Sequence, residues 1–225
     1  MIEIRELNKK YGSKQVLTDV NLSIEKGKVY GIVGRNGAGK TTMFRCIIGL
    51  ESHQGEIHSE LEPLKNHTGF LPTNPFMMSR ITAWEYLKLH SIARNIKTED
   101  FEDKNIFNLP LNEYAMNYST GMKKKLALMA IFLQKNDLYI LDEPFNGVDI
   151  QSNFIITKII SQMKESGKTV LISSHIFSTL KDCCDQIFLL KEGRIDKTVD
   201  PSQYDILEEE MKSAIIGDQL DKIKF

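Results

Sequence analysis

The chain has 225 residues, of which 41% are hydrophobic, enough to bury one full-sized core. Its 29 basic and 30 acidic residues leave a net charge of −1, which argues against bulk binding of nucleic acid. No apolar run approaches the roughly 18 to 20 residues of a membrane span, and the charged start MIEIRELNKKYG lacks the apolar core of a signal peptide. Three cysteines without a C-x-x-C pair fit a reduced, intracellular protein.

The first third of the chain is predicted to consist mainly of strands. IEIREL and VLTDVNLSI alternate between apolar and polar residues, which is typical of an antiparallel sheet. The apolar strand Val29–Val33 runs directly into GRNGAGKTT, and a helix is predicted over Thr41–Leu50. A short strand follows at Thr68–Leu71 and ends at Pro72.

The rest of the chain combines a helical block with further strands. Residues 82–133 are predicted to be mostly helical, with polar breaks around residues 97–105 and at Pro110. LYILD, TVLISS and QIFLLKEG then alternate with helical stretches, as in a parallel α/β sheet. We expect a single α/β domain with its core at residues 1–74 and 136–200, an inserted helical lobe at 75–135 and a tail at 201–225.

The glycine-rich turn matches the phosphate-binding pattern G-x-x-x-x-G-K-[ST]. Glycines let backbone N–H groups close around phosphate oxygens, the lysine reaches the β- and γ-phosphates, and the last hydroxyl binds Mg²⁺. A plain turn between strand and helix would explain the glycines but not the Lys-Thr pair. The residues expected to bind a nucleotide here are Gly34, Asn36, Gly37, Ala38, Gly39, Lys40, Thr41 and Thr42, with Thr41 also a metal ligand.

Two other strands end in candidate catalytic groups. Asp142 and Glu143 follow the apolar strand LYIL, so Asp142 is a candidate Mg²⁺ ligand and Glu143 a candidate base for an attacking water. His175 ends TVLISS, where a parallel sheet places its ligands. Each feature alone has a plain structural explanation, because strand ends and surface histidines are common. Beside the phosphate loop, we interpret all three as parts of one site.

The stretch NYSTGMKKKL, at residues 117–126, allows two interpretations. Ser119 is a natural N-cap, so the stretch can be an ordinary helix with a solvated basic first turn. The positive end of a helix also binds phosphate, so the same residues can form part of a nucleotide site. The residues themselves do not decide between these interpretations.

Together these motifs resemble the ATP-binding subunit of an ATP-binding cassette (ABC) transporter. The resemblance covers about Ile2 to Val199 and rests on the ordered set Tyr11, GRNGAGKT, STG with a basic helix, YILDEP, NGVD and SSH. It implies an α/β P-loop NTPase fold with a mostly parallel sheet, an N-terminal antiparallel β subdomain and an inserted helical lobe. It also implies an ATPase that uses ATP and Mg²⁺.

The resemblance assigns further residue roles. It makes Glu143 the general base and His175 the residue that orients water and γ-phosphate. It makes Tyr11 the aromatic ring that stacks on adenine, although a strand-end tyrosine explains it too. Ser119 and Gly121 would contact the γ-phosphate held by a second ATPase subunit, identical or different, and the loop ending at Asp149 would pass between the two sites.

Two segments depart from the family pattern. The family has a glutamine where this chain has Thr73, so Thr73 or the following Asn74 takes its place as a Mg²⁺ ligand. The family signature Leu-Ser-Gly-Gly-Gln is spelled Tyr-Ser-Thr-Gly-Met, with Thr120 and Met122 as the changes after the first position. Because Ser119 and Gly121 are retained, we expect the phosphate contact to survive.

The resemblance also implies a membrane partner. Large apolar residues in NPFMMSRITAWEYL either form the core of the lobe or receive a cytoplasmic helix of a separate permease. The chain would then be cytoplasmic, on the inner face of the membrane, and its motif spelling is most like bacterial exporters. The alternative is a soluble cassette ATPase acting on the ribosome or DNA. A GTPase is disfavoured because the sequence contains no Asn-Lys-x-Asp motif, and a nucleotide kinase is disfavoured because it would not account for STG and SSH.

Overall fold

The computed structural model describes residues 1–97 and 100–210. In chain order, the strands are β1 Ile2–Tyr11, β2 Lys14–Ile24, β3 Val29–Val33, β4 Gln54–Ser59, β5 Thr68–Leu71, β6 Leu138–Asp142, β7 Thr169–Ser174, β8 Gln186–Lys191 and β9 Arg194–Val199. The α-helices are α1 Lys40–Ile47, α2 Leu64–His67, α3 Ala83–Ile92, α4 Thr120–Leu133, α5 Ile150–Glu165 and α6 Ser178–Lys181, and residues 204–210 are also helical.

A six-stranded sheet in the order β5-β6-β7-β3-β8-β9 forms the centre of the fold. Its neighbouring strands are parallel except for the antiparallel pair β8 and β9. Alternate residues of β6 enter opposite core clusters: Leu138 and Ile140 on one face, Tyr139 and Leu141 on the other. Burial on both faces explains why these strands are continuous apolar runs and confirms the predicted fold class.

A second sheet, β2-β1-β4, is antiparallel and contains the N-terminal strands. Its apolar residues share a core cluster with α1 and one face of the central sheet. The Thr18 N–H donates to the Gly193 carbonyl at 2.9 Å, which fixes β2 beside the β8–β9 turn. Both segments thereby come to lie next to the glycine-rich turn.

The segment between α3 and α4 contains less helix than predicted. Of residues 93–119, those described form turns, bends and one short 3₁₀ turn. The breaks predicted around residues 97–105 and at Pro110 are non-helical where described, whereas the helix predicted for the rest of this segment was wrong. Asn95 and Asn108 have φ of 54° and 51°, a left-handed conformation that ends a helix. Phe101 is buried and meets Trp84 of α3 edge-on, with 5.5 Å between ring centroids. The apolar residues of the segment therefore anchor a loop.

The C-terminal tail, predicted at 201–225, lies within the described residues only as far as 210. There Tyr204 and Leu207 are buried, although the surrounding residues are strongly charged. The Tyr204 hydroxyl donates to the Cys184 carbonyl at 3.1 Å, and its ring packs edge-on against Phe177 at 5.7 Å. This part of the tail is held against the segment that follows β7.

Candidate active site

The glycine-rich turn joins β3 to α1 in the conformation that the motif requires. Gly37 and Gly39 have φ of 85° and 109°, which L-residues rarely adopt. A Cβ at Gly39 would also lie 2.8 Å from the Leu17 side chain. Lys40 folds back and donates from Nζ to the Gly34 carbonyl at 2.6 Å. The turn therefore presents its backbone N–H groups at the N-terminus of α1, as an anion site does.

A cavity of ≈ 560 Å³ opens above this turn. Its lining includes every residue from Asn36 to Thr42, together with Thr73, Asp142 and Glu143. A further wall comes from β2 and the β8–β9 turn. Sequence reasoning missed that wall, whose residues are Lys14, Gln15, Val16, Glu192 and Gly193. They carry no motif, and only the pairing of distant segments brings them to the site.

Three hydroxyls donate to the Asp142 carboxylate, one of the groups that line the cavity. Thr41 and Thr73 both donate to its Oδ2, at 2.6 and 2.5 Å, and Ser173 donates to Oδ1 at 2.5 Å. Asp142 is fully buried. Three hard oxygen groups around one point fit Mg²⁺, which is held in such sites by one or two carboxylates and retains several waters. The structure places Thr73 in this cluster, where the family has glutamine.

Glu143 lies next to this cluster in a strained conformation. Its φ is 54°, in the left-handed region that costs a residue with a side chain about 1–3 kcal/mol. Oε1 lies 3.2 Å from Lys40 Nζ, but it has no hydrogen-bond partner of good geometry among the described residues. A buried carboxylate oxygen that lacks a full hydrogen bond can accept one from a bound water.

His175 contacts Glu143 from the end of β7. Its Nδ1 lies 2.8 Å from Glu143 Oε2, and its backbone N–H lies 3.4 Å from the same oxygen. Because a carboxylate can only accept, the Nδ1 proton is the donor, and Nε2 remains available to a ligand. The structure thus unites His175 with the predicted base, although the two are 32 positions apart in the chain.

A second group of predicted residues lies outside the cavity. Ser119 caps α4 by accepting the Met122 N–H at 3.3 Å, as the sequence predicted. A Cβ on Gly121 would lie 2.5 Å from the Gly147 carbonyl oxygen, so the helix start touches the loop that follows Glu143. The two changed signature positions disturb neither contact, because Thr120 is exposed and Met122 packs against the core.

Asp149 belongs to this second group as the N-cap of α5. The N–H of Ser152, the Lys125 ammonium and the Ser152 hydroxyl all donate to its carboxylate, at 2.9 to 3.0 Å. These donors hold the pKa of Asp149 well below its usual range. The capping contacts account for Asp149 without a nucleotide, so its predicted role between two sites stays a prediction.

Tyr11 lies at the end of β1, opposite Lys14 in the sheet register. Its side chain is exposed, and the Lys9 ammonium covers the ring at 4.7 Å. It is a neighbour of the cavity wall rather than one of the lining residues. Its stacking on adenine therefore stays a prediction.

Comparison with known proteins identifies the family of the chain. A family model described as ABC transporter matches residues 17–146. The chain belongs to this family. The ABC-type transporter ATP-binding protein EcsA from Bacillus subtilis (strain 168) is 31% identical over 214 residues, 87% of this chain and 85% of that protein.

Solved structures of the family have the same fold. One, described as the ATP-binding subunit of an ABC transporter, matches with a TM-score of 0.84 at 26% identity, over 95% of this chain and 98% of that one. Another is an ATP-binding cassette in a dimeric post-hydrolysis state with ADP and phosphate, with a TM-score of 0.79 at 21% identity, over 89% and 99%. The α/β P-loop architecture of ABC ATPases is thereby confirmed for this chain.

Proposed function

We propose that the chain binds ATP, hydrolyses it to ADP and phosphate, and so powers a separate membrane permease. The observation that supports this most directly is the convergence of Lys40, Thr41, Thr73, Asp142 and Glu143 on one cavity. A phosphate loop alone would bind a nucleotide. A neighbouring carboxylate whose oxygen accepts no hydrogen bond from the described residues supplies what hydrolysis needs in addition.

Each side chain then has one role in the reaction. The backbone N–H groups of the phosphate loop and Lys40 bind the β- and γ-phosphates. Glu143 accepts the proton of the attacking water at Oε1, the oxygen that no described residue donates a hydrogen bond to. His175 fixes the other oxygen through its Nδ1 proton and meets the γ-phosphate with Nε2. Lys40 leaves its ion pair with Glu143 when phosphate enters.

Thr41, Thr73 and Asp142 are the residues that would hold Mg²⁺. When bound, Mg²⁺ neutralises charge on the phosphate oxygens. The described residues contain no group of three or more His, Cys, Asp or Glu side chains that could hold a metal ion. The site therefore depends on the two threonine hydroxyls, and Thr73 replaces the family's glutamine directly, while Asn74 is not among the lining residues.

A second ATPase subunit, identical or different, completes each site in this proposal. Ser119, Gly121 and Asp149 lie outside the chain's own cavity, yet Ser119 starts a 14-residue helix whose N-terminus attracts anions. The N-terminus of α4 would therefore face the γ-phosphate bound by the partner's phosphate loop. Loss of that phosphate on hydrolysis removes the contact and lets the dimer open.

The surface of the lobe supports a permease as a further partner. Among the described residues, no helix is both long and apolar enough to cross a membrane. The large apolar residues before and within the start of α3 divide into two classes: Met77 and Tyr86 are buried, whereas Phe76 and Met78 are 78% and 41% exposed. Core packing explains the first pair. We assign the second pair to a cytoplasmic helix of the permease, on the inner face of the membrane.

Glu143→Gln tests the catalytic proposal. The amide keeps the shape of the side chain but cannot take a proton, so we expect kcat to fall at least about 100-fold with ATP affinity unchanged. The same variant should accumulate an ATP-dependent dimer in gel filtration. Glu113→Gln, on an exposed loop of the lobe, removes the same charge and serves as control. Hydrolysis at the parent rate by Glu143→Gln would show that Glu143 is not the base.

Lys40→Ala tests the binding proposal. It should weaken ATP binding itself, measured by titration with a fluorescent ATP analogue, because it removes the cation that pairs with the phosphates. Lys26→Ala, in an exposed turn, is the matched control. Unchanged affinity in Lys40→Ala would refute the role of this lysine.

Phe76→Asp tests the permease surface. It should abolish binding to the permease, measured by co-purification from membranes, while the ATPase activity of the isolated subunit is kept. Leu50→Asp changes a residue of similar exposure, 64%, that follows α1 and serves as control. ATPase activity that responds to ribosomes or DNA, with no permease bound, would favour the soluble alternative.

A further inference from the structure

The backbone around Glu143 needs support, because its left-handed conformation is strained. On the N-terminal side, the Glu143 N–H donates to Ser173, at 3.0 Å to Oγ and 3.2 Å to the carbonyl oxygen. On the C-terminal side, the Glu143 carbonyl accepts from the Asn146 N–H at 3.2 Å and from Lys124 Nζ at 2.7 Å. Lys124 thus makes the shorter of the two contacts to that carbonyl.

Lys124 reaches Glu143 from the helix that carries the signature residues. It lies in the first two turns of α4 and is 2% exposed. Its ammonium also donates to the Asn146 carbonyl at 3.0 Å, so one side chain holds both ends of the turn that starts at Glu143. Burial lowers the pKa of Lys124, while the nearby Glu143 and Asp142 carboxylates act in the opposite direction.

The three consecutive lysines of NYSTGMKKKL are therefore not equivalent. Lys125 pairs with Asp149 at 3.0 Å, and the Lys123 ammonium has no partner among the described residues. Only Lys124 is buried. Burying an ammonium costs several kcal/mol unless its donors are satisfied, so an apolar side chain would serve packing alone at lower cost.

We propose that Lys124 is a positioning residue for the catalytic base. It fixes the Glu143 carbonyl and the following turn, so that the strained backbone keeps the carboxylate aimed at the attacking water. Since Lys124 lies five residues after Ser119, it also connects the signature end of α4 with the base of the same chain. A movement of α4 on contact with the partner's ATP would therefore change the position of Glu143.

This inference rests on the proposed ATPase function, and four proteins test it: the parent, Lys124→Met, Lys124→Arg and Lys123→Met. For Lys124→Met we expect kcat to fall about 10- to 100-fold, because a displacement on the order of 1 Å at the reacting groups costs about that much. KM and the affinity for a fluorescent ATP analogue should stay within about twofold of the parent. Arginine restores the charge and the donors, so Lys124→Arg should recover most of the rate, while Lys123→Met should match the parent.

A second readout separates positioning of the base from contact with the partner's phosphate. In a Glu143→Gln background, Lys124→Met should still form the ATP-dependent dimer, because the Ser119 cap is intact. Loss of that dimer would overturn the inference. So would a parent-like kcat in Lys124→Met, or a kcat that falls as much in Lys123→Met as in Lys124→Met.

Folding and the underlying ATPase activity are tested separately. If Lys124→Met does not fold, Lys124→Ala, which also removes the donors, takes its place, and an unchanged kcat then refutes the role. A parent protein that shows no ATPase activity would refute the proposed function instead.

Discussion

Gly121→Ala isolates the contact between the start of α4 and the loop after Glu143. Alanine keeps the backbone N–H and is the better helix former by up to about 1 kcal/mol, so the helix by itself gains from the change. Its Cβ, however, would lie 2.5 Å from the Gly147 carbonyl oxygen, with the next atom at 3.7 Å. The loop and the helix must therefore separate by about 0.9 Å, or about half of that each, to reach the ordinary contact distance of 3.4 Å.

The expected cost falls on the rate rather than on stability. A misplacement of about 1 Å costs about 100-fold in rate, so half of that predicts a loss on the order of tenfold in kcat. The assay is steady-state ATP hydrolysis at saturating ATP, with a melting curve to confirm folding. Thr120→Ala, at an exposed neighbouring position, is the control and should leave the melting temperature unchanged. A parent-like kcat in Gly121→Ala would show that the close contact between Gly121 and the Gly147 carbonyl does not set the geometry of the site.

Three further changes have defined outcomes. Thr73→Val removes one hydroxyl from Asp142 and should raise the Mg²⁺ concentration for half-maximal activity about 3- to 10-fold, whereas Thr73→Ser should not; an equal rise in both would exclude the hydroxyl as the cause. Tyr204→Phe loses the hydrogen bond to the Cys184 carbonyl and should lower the free energy of unfolding in urea by about 1 kcal/mol; no change would mean that the bond adds nothing to stability. Asp149 has a lowered pKa when folded, so its stabilisation is present above its unfolded pKa near 4 and is lost as the pH falls. The stability difference between the parent and Asp149→Asn should thus be constant from about pH 7 to 5 and shrink below about pH 4; a difference independent of pH would refute this linkage.

The sequence was informative wherever one local rule determines a structure. The strand Val29–Val33 and the turn after it were predicted with the bounds that the structure has, because burial on two faces and left-handed glycines leave few alternatives. The N-cap at Ser119 was predicted for the same reason. Such features depend on residues close together in the chain.

The sequence was uninformative where a feature depends on contacts between distant segments or on the direction of a side chain. Lys123 and Lys124 are identical in type and adjacent, but they point in different directions around α4, and only Lys124 faces the loop after β6. The residues between α3 and α4 include apolar side chains at spacings compatible with a helix, but Asn95 and Asn108 end the helical geometry. The cavity wall from β2 depends on sheet pairing, which no local pattern specifies.

Trp84 makes the chain a natural fluorescence reporter. It is the single tryptophan of the sequence, and its ring packs edge-on against Phe101. The Lys88 ammonium lies 4.9 Å from the centroid of the Trp84 ring. Trp84 belongs to α3 and is not among the residues that line the cavity. A bound nucleotide would therefore change its emission through the position of the lobe rather than by direct contact. Without any label, stopped-flow emission can time the response of the lobe to ATP.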